Sequence, residues 1–409
     1  MNRIVGALAL VGSLAITSVL PAAASPTDSP TPPTAVAATD QAVAWGNDAA
    51  HTGSQPGDPL APPLTKSWVD DLGGDVAFPI IAAGRVYVTA KTQASTRLIA
   101  LEAATGQLDW MIDLGGGRLA ANVAYDNGRV FVDNGNGLVM AFDAQTGARD
   151  WIKVGGGTMV TPFNGVLYSG ISAFDEATGA YLWHAQPAGT NPPPLQGTAG
   201  PAVTSSGMYL STGCADAWDF NPATGREIWH VVSGCTTGYT STPSVYAGRV
   251  YARGSLTSVI LDAQTGHQVG SFQPGVAPAF DSNQGFFLEG PSPFTLRARS
   301  LDGATVNWAF VGDGHLITSP ISVNGVVYIG SHSGNLYGLN ETTGAPIWTD
   351  NVGSPFVDYG GEDRLTVLNT MAAGLGRLLA PASHRLVAYT TSPPAGAARP
   401  SASPAVRTI

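Results

Sequence analysis

The fold of this chain is decided by the stretch FDAQTGARDW at residues 142–151. It is one of seven related stretches, each with an apolar residue, an acidic or amide residue, Thr-Gly or a shortened form of it, and an aromatic residue a few positions later. The aromatic residues of the series are Trp110, Trp151, Trp183, Trp229, Phe272, Trp308 and Trp348. Neighbouring members are 32 to 46 residues apart. A period of this length indicates a propeller or a solenoid.

Each repeat combines turn-forming and strand-forming residues. In the repeat quoted above, Asp143 can open a turn by accepting hydrogen bonds from the following backbone, and Gly147 can supply the positive φ that reverses the chain. The aromatic residue then has the volume to fill the space between neighbouring sheets. Upstream, a pair such as Asn324-Gly325 between two apolar runs is a strong hairpin signal. Four strands in roughly 40 residues predict one blade of a β-propeller.

Seven complete repeats predict seven blades, at about residues 76–110, 119–151, 159–183, 200–229, 241–272, 277–308 and 318–348. An eighth pattern, at residues 365–389, lacks the strand that carries Thr-Gly and Trp. The segment 64–68 has the missing form, with Trp68 as its aromatic residue. We therefore predict an all-β fold, an eight-bladed β-propeller whose N-terminal strand closes the last blade and removes its exposed edges. The alternative is a seven-bladed ring with an additional cap.

The composition supports this fold and excludes one class of partner. Only 12% of the 409 residues are charged, whereas the chain has 51 glycines and 30 prolines, as expected for short strands joined by many turns. The formal net charge is −10, and only three lysines occur. A protein that binds nucleic acid needs clustered Lys and Arg to neutralise phosphates, so we predict no nucleic-acid partner.

The ends of the chain carry targeting and linker signals. Arg3, an apolar run over residues 4–20 and three alanines at residues 22–24 predict a signal peptide at residues 1–24. The composition predicts a flexible Pro/Thr/Ala linker at 25–44, the propeller at 45–390 and a disordered tail at 391–409. We thus expect a secreted protein, extracellular or in the cell envelope, without membrane insertion.

The repeated Asp-Ala-x-Thr-Gly-x-x-x-Trp unit resembles the tryptophan docking motif of the PQQ-like (quinoprotein alcohol dehydrogenase-like) β-propeller family. The resemblance covers about residues 45–390 and implies this fold. That family includes quinoprotein dehydrogenases and an outer-membrane assembly scaffold, so the resemblance leaves the function open. The resembling enzymes hold PQQ beneath a vicinal Cys-Cys disulfide with Ca²⁺ ligated by Glu, Asn and Asp. This chain has no Cys-Cys pair, so we predict no cofactor, and PQQ with calcium is disfavoured.

Propeller topology places the two cysteines on one face. The connections between blades and the turns between the second and third strands of each blade share a face, where propellers usually bind ligands. Cys214 lies in such a turn and Cys235 in such a connection, so in an exported chain they predict a disulfide. A metal-binding thiolate pair or a redox-active pair is the alternative, but the spacing is wrong for both.

Weak candidates for catalysis lie on the same predicted face. His315 stands beside Asp313, and His332 lies in a neighbouring turn, so an imidazole base with an orienting carboxylate is conceivable there, with Tyr359 as a proton donor. The other residues predicted on this ligand face are Asp216, Tyr239, Glu289 and Asp358. No nucleophile elbow or metal-binding motif is present, and no metal site is predicted.

These features lead to a ranked expectation. We expect a monomeric, non-catalytic binding or scaffold module for an extracellular protein or an oligosaccharide. The alternative is an extracellular carbohydrate-active enzyme, a lyase or hydrolase working at the channel mouth. A PQQ-dependent dehydrogenase ranks below both, and whether the protein is an enzyme is left open with a preference for none.

Overall fold

The computed structural model describes residues 40–116, 122–134, 137–157, 159–185, 200–232, 240–290, 292–357, 370–392 and 406–408. Within these ranges the strands form eight sheets, and neighbouring strands in the core of each sheet are antiparallel. The prediction of an all-β, eight-bladed β-propeller is confirmed, and the seven-bladed alternative is wrong. The part of the chain that the structure describes contains no helix long and apolar enough to cross a membrane.

The strands follow one another blade by blade. Before and within the first two blades they are β1 (Ser54–Gln55), β2 (Leu64–Asp71), β3 (Asp75–Val76), β4 (Ile80–Ala82), β5 (Arg85–Lys91), β6 (Thr96–Glu102), β7 (Leu108–Asp113), β8 (Asn122–Asp126), β9 (Arg129–Asp133), β10 (Leu138–Asp143) and β11 (Arg149–Val154). Blades 3 and 4 contain β12 (Val160–Phe163), β13 (Val166–Ser169), β14 (Ser172–Asp175), β15 (Tyr181–His184), β16 (Ala202–Val203), β17 (Met208–Thr212), β18 (Ala217–Phe220), β19 (Glu227–Val231) and β20 (Thr240–Ser241).

The second half continues in the same way. Blades 5 and 6 contain β21 (Ser244–Tyr246), β22 (Arg249–Ala252), β23 (Ser258–Asp262), β24 (Gln268–Phe272), β25 (Ala279–Phe280), β26 (Gln284–Glu289), β27 (Thr295–Ser300) and β28 (Val306–Phe310). Blades 7 and 8 contain β29 (Ile321–Val323), β30 (Val326–Gly330), β31 (Asn335–Asn340), β32 (Pro346–Asn351), β33 (Ala372–Gly374), β34 (Arg377–Ala382), β35 (Arg385–Thr391) and β36 (Val406–Thr408).

The last blade is assembled from both ends of the chain. Its sheet has the order β33-β34-β35-β2-β36, and β2 runs antiparallel to β35 with Leu64 opposite Thr391 and Asp71 opposite Arg385. β36 adds to the other edge of β2 in parallel. The prediction that an N-terminal strand closes the ring is therefore confirmed. Because the last blade is completed in this way, blades 8 and 1 form an interface like those between the other neighbouring blades.

Six tryptophans dock onto the turn of the next blade, where each lies against the turn glycine. A Cβ on Gly179 would lie 2.7 Å from the Trp151 ring, so only glycine lets the indole approach this closely. The Trp151 Nε1–H donates to the Glu176 carbonyl at 3.0 Å. The same indole-to-carbonyl hydrogen bond to the next blade is made by Trp68, Trp110, Trp229, Trp308 and Trp348. The predicted role of the aromatic residue, filling the space between sheets, is confirmed.

An unexpected element fills the lower part of the central channel: residues 40–60, called here the channel segment. The first strands of the blades form the inner ring, since they contact one another around it, for example β33 with β4 and β4 with β8. Inner-strand amides donate to carbonyls of the channel segment in five blades, from Ile81, Tyr125, Val203, Val245 and Ser322. In blade 8 the inner-strand amide of Ala373 donates to the Asn47 Oδ1 at 3.4 Å. In the two remaining blades, Thr161 contacts the His51 ring and Ala279 packs on Gly53.

The channel segment shifts the start of the packed chain. Residues 40–44 belong to the predicted flexible linker, yet Ala42 and Ala44 are buried, and Ala42 exchanges two backbone hydrogen bonds with Ile81. The physical reason is that the inner strands present unpaired amides to the channel, and an extended chain supplies their acceptors. The packed structure thus begins at least five residues before the predicted boundary at residue 45.

One blade carries an acid where its neighbours carry a small residue. The residue paired with the docking tryptophan across the third and fourth strands is alanine in five blades and Gly338 in another, but Asp219 in blade 4. Asp219 is buried, and its Oδ1 has no hydrogen-bond partner in the part of the chain that the structure describes. Burial raises the pKa of Asp219 from its ordinary value of 3.8 to about 8. The acid is therefore held neutral inside blade 4.

Removal of the closing elements should abolish the fold. A variant that lacks residues 25–71 loses β2 and the channel segment, which exposes the edges of blade 8 and the inner amides. We expect it to show no cooperative thermal transition by circular dichroism. A matched variant that lacks only residues 25–39 should melt like the full chain. Equal melting temperatures for the two variants would contradict closure by the N-terminal strand.

Replacement of the buried acid should stabilise the protein. We expect Asp219→Ala to raise the free energy of unfolding by about 1–3 kcal/mol at neutral pH, since a buried group without a full set of partners is removed. The folded protein keeps the Asp219 proton up to about pH 8, whereas the unfolded chain loses it near pH 4, so stability falls as the pH rises through this window. Denaturant titrations at pH 4, 6 and 8 should show a gain that grows with pH.

The control for this measurement is Asp150→Ala, which removes the partner of Arg129 in a partly exposed ion pair at 3.0 Å. Such pairs contribute little, so this variant should unfold like the parent chain at each pH. A gain at Asp219 that is independent of pH would show that the buried carboxyl is not the source of the effect.

Candidate functional site

The two faces of the propeller are defined by backbone contacts between turns. On the face called here the upper face, the connections between blades meet the turns between second and third strands, as where the Val352 amide donates to the Gly334 carbonyl at 2.9 Å. On the lower face, the turns between first and second strands meet those between third and fourth, as where the Ala144 amide donates to the Gly128 carbonyl at 2.9 Å. The predicted ligand face is the upper one.

The channel segment contacts turns at the lower end of the channel. Gln41 and Asp40 bind the lower-face turns of blades 1 and 8 through Ala83 and Leu375. Sequence reasoning missed this element because it has no repeat motif. Its one signal was the run of small apolar residues 42–44, followed by Trp45 and a Gly-Asn pair.

The centre of the channel is occupied by Trp45 and His51. Both are buried, and their rings are in an edge-to-face contact at 5.2 Å. The His51 Nδ1–H donates to the Pro243 carbonyl at 3.1 Å, and its Nε2 lies 3.4 Å from the Thr161 hydroxyl. Burial, together with the charge of Arg253, lowers the pKa of His51 to about 4. His51 is therefore a neutral bridge between blades 3 and 5.

The predicted histidine pair comes together on blade 7. The His332 amide donates to the His315 carbonyl at 2.8 Å, so the two exposed residues are neighbours on the upper face. The His332 Nδ1–H donates to the Phe356 carbonyl at 3.2 Å, which leaves Nε2 as the nitrogen that can accept a proton. This part of the predicted arrangement is present.

The carboxylate of Asp313 holds the turns rather than an imidazole. Its Oδ2 accepts from the Ser331 hydroxyl at 2.7 Å and from Asn335 at 2.9 Å, and its Oδ1 accepts from the His315 amide at 3.1 Å. The hydrogen bonds from Ser331 and Asn335 lower the pKa of Asp313, although burial opposes them. Asp313 thus joins β30, β31 and the preceding connection, and it does not orient a histidine ring.

Glu289 forms an ion pair within blade 6 and also bonds to the connection that leaves blade 5. Its Oε1 accepts two hydrogen bonds from the Arg299 guanidinium, at 2.6 and 2.8 Å, and its Oε2 accepts the Gln273 amide at 3.1 Å. The carboxylate is fully buried. This cluster stands at the one repeat that ends in Phe272 instead of tryptophan. Glu289 therefore stabilises the interface of blades 5 and 6 and is not open to a ligand.

The remaining predicted residues divide into two groups. Asp216 and Cys214 lie in the turn between β17 and β18 on the upper face, with Cys214 buried. Tyr239, Cys235, Asp358 and Tyr359 lie outside the described residues. The disulfide and the roles of both tyrosines therefore stay predictions.

The described residues do not fit PQQ with calcium. They contain no group of three His, Cys, Asp or Glu side chains that could hold a metal ion. Of the three carboxylates of the predicted site that they include, Asp313 and Glu289 are engaged as described above. The sequence has no Cys-Cys pair to cover the cofactor. We assign no step to this cofactor.

The chain matches the sequence profile of the PQQ-repeat family described as outer membrane protein assembly factor BamB, over residues 34–166 and 168–366. The chain belongs to this family. A curated relative is the tetrathionate hydrolase of Acidithiobacillus ferrooxidans, 24% identical over 156 residues. That match covers 38% of this chain and 28% of the relative, so the chain spans less than a third of the relative's length.

Solved structures share the fold. A europium-containing methanol dehydrogenase superposes with a TM-score of 0.63 at 14% identity, covering 84% of this chain and 89% of the enzyme. BamB from Moraxella catarrhalis superposes with a TM-score of 0.60 at 16% identity, covering 80% of this chain and 99% of BamB. At these identities the likeness shows the fold alone, which serves both an enzyme and an assembly factor.

The cysteines should be oxidised in the exported protein. We expect no free thiol when the unfolded, non-reduced protein is titrated with a thiol reagent. Cys235→Ser should expose one thiol, at Cys214, and lower the free energy of unfolding by about 3 kcal/mol in the chain-entropy model. Cys214→Ser is the matched variant and should cost a similar amount. Two thiols in the parent protein would contradict the disulfide.

Proposed function

We propose that this protein is a binding or scaffold module that acts outside the cytoplasm and recognises an extracellular protein or an oligosaccharide with its upper face. The observation that carries the proposal is the bonding of Asp313 and Glu289, two of the three carboxylates of the predicted site that the structure describes. Asp313 accepts hydrogen bonds from three groups of its own blade, and Glu289 is paired with Arg299. Carboxylates with these bonds serve structure first, which favours recognition over acid–base chemistry.

The lengths of the connections support the choice of face. Those between blades on the upper face range from five residues, 155–159, to twenty, 352–371. The turns between first and second strands on the lower face contain only two to four residues. Variable loops on a rigid scaffold are the usual carriers of binding specificity. The lower face is in addition occupied by the channel segment.

The comparisons support a scaffold role within limits. The family description names an outer-membrane assembly factor, and BamB is among the structures that share the fold. By analogy, the partner we favour is a protein of the cell envelope. Export is proposed on the signal peptide at residues 1–24. A monomer and the absence of a cofactor remain part of the proposal.

A carbohydrate-active enzyme is the second candidate. The observation that favours it is the His332 ring, whose Nδ1–H bond to the Phe356 carbonyl leaves Nε2 available as a base beside His315. A lyase or hydrolase could use this nitrogen to take a proton from a sugar. It ranks second because Asp313 does not orient either imidazole.

Site-directed photo-crosslinking tests the scaffold proposal directly. A photoreactive amino acid placed at His332 samples the upper face, and the same residue at the exposed Gln145 samples the lower face as a matched control. We expect His332, but not Gln145, to give a discrete adduct with an envelope fraction. Adducts of equal yield at both positions, or at neither, would contradict recognition by the upper face through a protein.

A thermal-shift screen separates the other outcomes. A ligand that binds only the folded state raises the melting temperature by mass action. At a ligand concentration a hundred times its Kd, the free energy of unfolding rises by about 2.7 kcal/mol. Oligosaccharides, cell-wall fragments and PQQ with Ca²⁺ are the probes. A shift with a sugar, followed by turnover that His332→Ala abolishes and Gln145→Ala does not, would replace the scaffold proposal by the enzyme.

A further inference from the structure

Both ends of the channel segment are held at a single turn. Where the segment begins, the Asp40 carbonyl accepts the Leu375 amide at 2.9 Å. Where it leaves the channel, the Asp58 Oδ2 accepts the Gly376 amide at 3.0 Å. Leu375 and Gly376 form the two-residue turn between β33 and β34 of blade 8. The channel segment is therefore a loop whose base is pinned to blade 8.

Two carboxyl groups meet at this base. The Asp58 side chain is buried, and its Oδ1 accepts the Leu60 amide at 2.7 Å. It lies against the side chain of Asp40, since the contact with Asp40 is among the causes that raise the pKa of Asp58. The Asp40 Oδ1 is buried and has no hydrogen-bond partner in the described part of the chain. Two carboxyl groups can bond to each other only while a proton remains between them, because two carboxylates repel. The contact is favourable in one protonation state and unfavourable in the other.

We propose that the Asp40–Asp58 pair is a proton-dependent latch: the shared proton holds both ends of the channel segment on blade 8, and its loss releases them. The lower end of the channel then opens first at blade 8. The middle of the segment, with His51 and its bonds to blades 3, 4 and 5, remains in place. The latch thus controls access to the lower end of the channel and to the inner edge of β33.

The surroundings of Asp58 set the direction of the response. Burial, and next the contact with Asp40, raise the pKa of Asp58 to about 6, while the Leu60 and Gly376 amides oppose the shift. The other charged or titratable groups that face it are Arg377 on β34 and Tyr328 on β30. A released Asp58 titrates near its ordinary value of 3.8. The latch is therefore fully closed below about pH 4 and weakens until about pH 6, because the closed form keeps the proton longer.

Amide-resolved hydrogen exchange measures the latch. The Leu375 and Gly376 amides donate to Asp40 and Asp58, so their protection reports the closed base. After correction for the intrinsic rate, we expect their protection factors to fall by up to about a hundredfold between pH 4 and pH 7, as two pKa units imply. Protection that does not change with pH would overturn the proposal.

The decisive variant is Asp40→Asn, whose amide can donate to Asp58 without a shared proton. It should keep Leu375 and Gly376 protected across the whole pH range. Asp281→Asn is the matched control, because Asp281 raises the pKa of Glu341 away from blade 8 and does not contact the latch. This control should retain the pH dependence of the parent. An unchanged pH dependence in Asp40→Asn would contradict the latch.

The protection of the Val203 amide distinguishes release of the two ends from release of the whole channel segment. It donates to the Ala49 carbonyl in the middle of the channel segment at 2.7 Å. A latch at the base leaves its protection constant while that of Leu375 falls. An equal fall at both amides would show release of the whole segment and contradict control by the two ends.

Discussion

The inner edge of each blade is the constraint on which this structure depends. The first strand of a blade pairs with the second on one side only, so its other edge presents backbone amides to the channel. A buried amide without an acceptor costs about as much as a lost hydrogen bond. In this protein the channel segment supplies acceptors to six of the eight inner strands, five from its carbonyls and one from the Asn47 side chain. The centre of the ring is thereby filled by the chain itself.

A second set of interblade bonds lies further out. Six indoles donate to a carbonyl of the next blade, and tyrosines of the second strands add similar bonds, as where Tyr87 donates to Ala144. At blades 5 and 6 the indole is absent. There a Cβ on Gly270 would lie 2.0 Å from the Asp302 carbonyl, so the two backbones touch directly, and within blade 6 Arg299 supports the same turn by donating to the Gly303 carbonyl at 3.0 Å. The ring keeps its contacts when the motif changes because different groups reach the same turn.

The repeat made most of the fold predictable, whereas the site was predictable only in part. Asp143, Gly147 and Trp151 act locally or on the adjacent blade, so their spacing carries the architecture. The neighbouring positions of His315 and His332 followed from topology as well. The bonding of Asp313 and Glu289 did not, because a carboxylate shows its partners only after Ser331 or Arg299 has been placed beside it. The channel segment was invisible for a related reason: its contacts are spread over all the blades, and no period in the sequence reports them.

The filled channel also changes what a binding site on this propeller can be. In an open ring, a ligand could contact inner-strand amides and approach from either face. Here most of those amides are paired, the channel segment contacts the lower-face turns of blades 1 and 8, and His51 is neutral and bonded to two blades. Under the proposed recognition function, specificity is expected from the upper-face connections, whose lengths vary and one of which carries His315, and from turns such as the one that carries His332. The fold that is shared with a dehydrogenase and an assembly factor would then serve recognition through its upper loops, without a change in its blades.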